Sequence, residues 1–183
     1  MEQADPTPEE LMARFQRHDD AEAFDALAEE FISPALGVAA QMLKDRAAAE
    51  DAVQDAFLRV IRKRDQYDPA RPFAPWFYSL LRNICRDKLR RRSREQQALE
   101  AEATERDLVV APDADAPEPD FPGLRLLDRL GEKERAVLRL RIVHDMSFRD
   151  IAAALGISRE AAKKRGQRGL RRLRGIARSA RVS

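Results

Sequence analysis

Three sets of residues in this chain have types and spacings suited to chemistry, and all three point to binding. In GISREAAKKRGQRGLRRLR, from Gly156 to Arg174, the residues Lys163, Lys164, Gln167, Arg168 and Arg171 fall on one side of a helix. Such a face offers cations to DNA phosphates and an amide to a base edge. Upstream, Arg82, Asn83, Arg86 and Arg90 share one side of another helical stretch, with Tyr67, Phe73 and Trp76 clustered around the proline-rich loop before it. Aromatics beside a basic surface can stack on unpaired bases, although Trp76 also sits at an apolar helical position that suits a core. The third set, Asp51, Gln54, Asp55 and Leu58, forms an acidic stripe holding a leucine. Spacing alone leaves two readings of it: a docking surface for a basic partner, or an ordinary solvated helix face.

No constellation suits catalysis. His18 and His144 stand apart, and the lone Cys85 lacks a nucleophilic partner and reads as a small core residue. There is no phosphate-cradling glycine loop and no carboxylate cluster at ligand spacing. The expectation is a protein that is not an enzyme, with no catalytic residue, metal or cofactor.

The elements that must position these residues are helical. Apolar residues recur with helical period, and sustained strand alternation is missing. Helices are expected over about 8–17, 20–44 (bent near Pro34) and 48–64. Another begins near Pro75 and runs into the arginine cluster. In AEDAVQDAFLRVIR the rows Ala52, Ala56, Val60 and Val53, Phe57, Ile61 face inward.

The net charge of +2 conceals strong segregation. Basic residues dominate from Arg82 to Arg94 and from Arg159 to Arg181, and acids dominate from Glu95 to Phe121. The proline-rich tract VVAPDADAPEPDFPG within that acidic stretch has linker composition. The fold expected is all-α: two small helical bundles, over 1–94 and 122–183, joined by an acidic flexible linker over 95–121. Apolar runs are too short to span a membrane and the N-terminus lacks signal-peptide character, so a cytoplasmic protein is expected.

The second bundle carries a helix-turn-helix pattern. In MSFRDIAAALGISREAAKK, Ser147 caps a two-turn helix with Asp150 three residues on, and Gly156 ends it. Ile157 plugs the core and Ser158 caps the next helix. Within that helix Ala162, Gly166, Gly169, Leu170 and Leu173 share the inward side, so the glycines mark a close helix crossing, with the small residues of IAAALG expected opposite.

Two segments carry a family resemblance. AEDAVQDAFLRVIRKRDQYDPARPFAPWFYSLLRNICRDKLRRR resembles the core-binding and promoter-melting domain of bacterial extracytoplasmic-function sigma factors, of the sigma-70 family. LGEKERAVLRLRIVHDMSFRDIAAALGISREAAKKR resembles their second, promoter-reading domain. The similarity covers about 24–94 and 127–174. It implies a transcription initiation factor that binds core RNA polymerase and promoter DNA. Asp51, Gln54, Asp55 and Leu58 would dock on the polymerase clamp helices. Tyr67, Phe73, Trp76, Arg82, Asn83, Arg86 and Arg90 would open and hold the −10 element. Ser158, Arg159, Lys163, Lys164, Gln167, Arg168 and Arg171 would read the −35 element. The acidic linker would thread into the polymerase channel, and an anti-sigma factor would hold the protein inactive. The resemblance implies neither membrane insertion nor a small-molecule substrate. The chain departs from the family at Ala162, Lys164 and Gly166, where relatives carry Val, Ser and a bulky apolar residue. Two rival readings remain at this point: an operator-binding regulator, which leaves the acidic stripe without a role, and a protein that sequesters another factor.

Overall fold

A computed structural model describes residues 5–102 and 125–179. Every regular element among them is helical. Helix α1, Pro8–His18, opens with a reciprocal cap: the Thr7 hydroxyl accepts from the Glu10 amide at 3.2 Å, and the Glu10 carboxylate accepts from the Thr7 amide at 2.9 Å. Asp20 starts α2, Ala21–Leu43, by accepting from the Ala23 amide at 3.0 Å, and it also takes the Arg14 guanidinium at 2.7 Å. The Ala23 amide, and then Arg14, hold the Asp20 carboxyl below its ordinary value. Pro34 lies inside α2 without dividing it, flanked by buried Phe31, Ala35 and Val38.

Asp45 caps α3, Arg46–Lys63, through the Ala48 amide. The predicted inward rows hold except at Ile61, which is 39% exposed near the end of the helix. A single 3-10 turn, Arg64–Gln66, leads to the proline-rich loop. That loop is pinned by the Phe73 amide donating to Glu9 at 2.7 Å and by the Tyr67 hydroxyl donating to the Arg71 carbonyl at 2.5 Å. Helix α4, Phe73–Glu102, carries Pro75 in its first turn, where a missing amide proton costs little. It continues eight residues beyond the expected start of the linker at 95; the rest of that stretch, 103–121, lies outside the described residues.

The C-terminal unit comprises α5 (Arg125–Asp128), α6 (Glu132–Ile142), α7 (Phe148–Leu155) and α8 (Arg159–Ser179). Its turn is built as its residues dictate. The Ser147 hydroxyl caps α7 through the Asp150 amide at 3.2 Å, Gly156 takes φ +65, and Ser158 accepts from the Ala161 amide at 3.1 Å.

The units do not stand apart. Helix α6 packs on α2 and α7 on α4, and one hydrophobic core runs from Leu11 to Ala162. Leu127, Leu130 and Leu138 form a smaller cluster, with Leu173 against it.

Candidate nucleic-acid and polymerase interfaces

Helix α3 presents Asp51, Gln54, Asp55 and Leu58 outward together, and Leu58 is 48% exposed although apolar. The stripe is not purely acidic in its setting. Lys88 of α4 reaches across to Asp51 at 3.7 Å and Asp55 at 3.4 Å. Sequence spacing within α3 could not announce this, because the cation comes from the neighbouring helix. Beside it, Asp55, Arg59, Ile84, Asp87, Lys88, Arg90, Arg91 and Arg94 line a groove between α3 and α4, predominantly cationic.

On α4 the expected face divides. Asn83, Arg86 and Arg90 point to solvent, while Trp76 and Arg82 are half-buried. Two expected DNA-binding residues need correction: Tyr67 is 3% exposed and Phe73 fully buried. Phe73 packs edge-on to Phe31 at 5.0 Å between ring centroids, and Tyr67 lies 5.7 Å from Phe73 and 5.1 Å from Trp76. Rings held in such a cluster shape the loop and are unavailable for stacking on bases. Burial also pushes the Tyr67 phenol upward, with Glu9 and Asp68 adding to the shift. Of the three aromatics, Trp76 alone retains partial exposure.

Cys85 is buried in α4, as its position suggests, and burial pushes its thiol up to about 11. A thiol so placed stays protonated and inert near neutral pH. Its folded value lies above the ordinary value of 9.0, so its contribution to stability is present below pH 9 and is lost as pH rises toward 11. Native protein should therefore resist a maleimide at pH 7 for as long as α4 stays packed, and react at once in denaturant. Rapid labelling of the native chain would contradict this packing.

Helix α8 displays Lys163, Lys164, Gln167 and Arg171 to solvent, with Ser158 and Arg159 exposed at its start. Arg168 lies at the edge of this face, 3.7 Å from the buried carboxylate of Glu134 on α6; Arg172 approaches the same group at 3.8 Å. The inward side is Ala162, Gly166, Gly169 and Leu173, whereas Leu170 is 41% exposed. Eight residues rotate a helix about 80° from Ala162, which carries Leu170 off the seam. The close crossing at the glycines is present, but against other partners than expected. A Cβ on Gly166 would meet the Phe148 ring at 2.9 Å, and one on Gly169 would meet Leu138 at 2.7 Å. The glycines thus admit large side chains of α6 and α7, not the small IAAALG surface.

The seam between the units holds residues that the sequence did not single out for function. The His144 side chain, on the α6–α7 connection, is 1% exposed and stacks on Phe31 with ring centroids 4.2 Å apart. Among the described residues no group of histidine, cysteine or carboxylates could hold a metal, and no helix is long and apolar enough to cross a membrane.

The family model for Sigma-70 region 2 matches residues 27–95, and that for Sigma-70, region 4 matches 126–175. RNA polymerase sigma factor CarQ of Myxococcus xanthus is 37% identical over 168 residues, covering 89% of this chain and 93% of CarQ. ECF RNA polymerase sigma factor RpoE of Cereibacter sphaeroides is 27% identical, covering 90% of this chain and 91% of that protein. Among solved structures, sigma factor RpoE from Bartonella quintana, in complex with the anti-sigma factor NepR, aligns with TM-score 0.47 at 25% identity, covering 84% of this chain and 97% of that one. Two sigma-70 regions in order, matched over most of the described chain, place this protein in the sigma-70 family, as an extracytoplasmic-function RNA polymerase sigma factor.

Proposed function

We propose that this sigma factor engages core RNA polymerase through the α3 stripe, holds the −10 element on the exposed face of α4, and reads the −35 element with α8. The observation that carries this division of labour is the outward presentation of three separate polar faces, one acidic and two basic, on the two matched regions. Asp51, Gln54, Asp55 and Leu58 form the docking face. Asn83, Arg86 and Arg90, with Trp76 at the loop, form the −10 face. Ser158, Arg159, Lys163, Lys164, Gln167 and Arg171 form the −35 face, with Arg168 at its margin. The protein performs no catalysis of its own, works in the cytoplasm, and is restrained by an anti-sigma factor, as the family resemblance implies. A regulator acting without polymerase leaves the α3 stripe idle.

Core polymerase supplemented with the chain, transcribing genomic fragments in vitro, tests the reading directly: initiation should depend on the added protein. The paired change Asp51→Ala with Asp55→Ala should weaken core binding about tenfold or more, a loss of about 1.4 kcal/mol, because Lys88 then presents unopposed positive charge to a basic partner. Unchanged affinity would move the docking face elsewhere.

A further inference from the structure

Beneath the DNA-reading helix lies a carboxylate that none of the three polar faces uses. Glu134 is buried in the first turn of α6, where a helix N-terminus favours negative charge. Two glycines leave room for it. A Cβ on Gly131 would come within 2.9 Å of Glu134 Oε2, and one on Gly169 within 3.3 Å of Glu134 Cβ. Over this recess α8 lowers two arginines one turn apart, Arg168 at 3.7 Å from Oε1 and Arg172 at 3.8 Å from Oε2. Both distances allow ion pairing but are too long for hydrogen bonds, and both arginine side chains are more than half exposed. Each arm therefore faces a choice of anion: the carboxylate beneath it, or a phosphate brought from outside. A buried carboxylate stripped of its cations is costly, and that cost holds the arms inward.

Their places on the helix set them apart from the reading face. Arg168 and Arg172 lie about 40° and about 80° around α8 from Lys164, progressively toward α6. When Lys163, Lys164, Gln167 and Arg171 face a groove, Arg172 is turned away from it. Cognate DNA, met in one orientation, has little use for that arm. Unselected DNA is met in many orientations, and any free cation on the flank of α8 adds to its affinity.

We propose that Glu134 is a specificity-determining residue of the DNA-reading unit, holding Arg168 and Arg172 back from the phosphates of unselected DNA. This role rests on the assignment of α8 as the −35-reading helix. Glu134 touches no DNA itself. It acts through the two arginines, and so sets how much of the charge on α8 is free for attraction that ignores sequence.

The test uses the full chain with two duplexes: one of mixed sequence, and an upstream promoter duplex from a fragment that the chain transcribes with core polymerase. Glu134→Gln keeps the shape of the side chain and removes its charge. On the mixed duplex its slope of log affinity against log salt should steepen by about 0.9 for each arginine freed, to a limit of about 1.8. Affinity for the mixed duplex at low salt should rise about threefold or more, and the preference for the promoter duplex should fall by a similar factor. Arg172→Gln supplies a readout that a merely structural role for Glu134 would not move. In the parent it should change the slope by less than about 0.3, because the arm is already withheld; in the Glu134→Gln background it should remove about 0.9. Equal losses in both backgrounds would show that Arg172 reaches phosphate with Glu134 in place, and would overturn the proposal. An unchanged slope in Glu134→Gln, with helicity retained by circular dichroism, would overturn it too. If Glu134→Gln fails to fold, Arg172→Gln in the parent decides alone: a loss of about 0.9 sinks the proposal, and an unaltered slope supports it. A parent that binds both duplexes alike would overturn the reading of α8 itself. A parent that discriminates, matched by a Glu134→Gln variant that discriminates equally well, would overturn this proposal alone.

Discussion

Replacing Gly169 with Leu is expected to destabilise the C-terminal unit more than any other single change to α8. An added Cβ there would sit 2.7 Å from Leu138 Cδ1 and 3.3 Å from Glu134 Cβ. Leu138 is 1% exposed and belongs to the small cluster with Leu127 and Leu130, so it has nowhere to retreat. Overpacking of this kind costs about 1–3 kcal/mol or more, against a gain of about 1 kcal/mol from removing a helical glycine. Gly166→Leu should cost less, toward the lower end of that range. Its obstacle is the edge of the half-buried Phe148 ring, which can swing. Gly175 provides the control. Among the described residues a Cβ there meets nothing within 4 Å, so Gly175→Ala should be neutral or stabilising by up to about 1 kcal/mol. Urea unfolding midpoints for the three variants should fall in the order Gly175→Ala, Gly166→Leu, Gly169→Leu. Stabilisation by either leucine would mean that the crossing is underpacked and the glycines merely weaken the helix.

The second large effect concerns charge on the outer side of α8. Reversal of Lys163 and Lys164 to Glu should weaken binding to an upstream promoter duplex by tenfold or more and leave core-polymerase affinity unchanged. Each lysine withdrawn from a phosphate lowers the slope of log affinity against log salt by about 0.9, so a fall of roughly two is expected if both touch the backbone. Arg168 is best left intact in this experiment. Its guanidinium lies 3.7 Å from Glu134, and a glutamate there would set like charge against a carboxylate that is only 9% exposed. Unfolding would then masquerade as a failure to bind DNA. Loss of core binding in the lysine variant would mean that the two regions have exchanged roles.

How much of this was legible beforehand depends on the range of the interactions. Ser147, Gly156 and Ser158 announce the helix-turn-helix because each acts on backbone within three or four residues of itself. The three polar faces follow from helical period for the same reason. Ambiguity entered where a residue type suits both a core and a ligand. Tyr67 and Phe73 flank a basic surface in sequence, yet they turn inward onto Phe31 and Trp76, and period alone does not orient a loop. The fit of Phe148 and Leu138 against the glycines needed the relative placement of α6, α7 and α8. Least legible was the seam. Phe31 and His144 are separated by more than a hundred residues, and an isolated histidine in a polar connection carries no sign that it will be buried. Lys88 is similar: it reads as one more cation in a basic run until α3 is laid beside it.

That lysine has a consequence for the order of assembly. Asp51 and Asp55 already own an intramolecular counter-ion, so on the proposed docking a basic partner would displace Lys88 where otherwise it would shed mobile salt ions. Exchanging one fixed cation for another releases few ions, and an association of that kind responds weakly to ionic strength. Among the described residues Lys163 and Lys164 have no such internal substitute, and on the proposed function their engagement with DNA would be driven by ion release. On the proposed function, a rise in salt would therefore separate the two steps, sparing the holoenzyme while loosening its grip on the promoter.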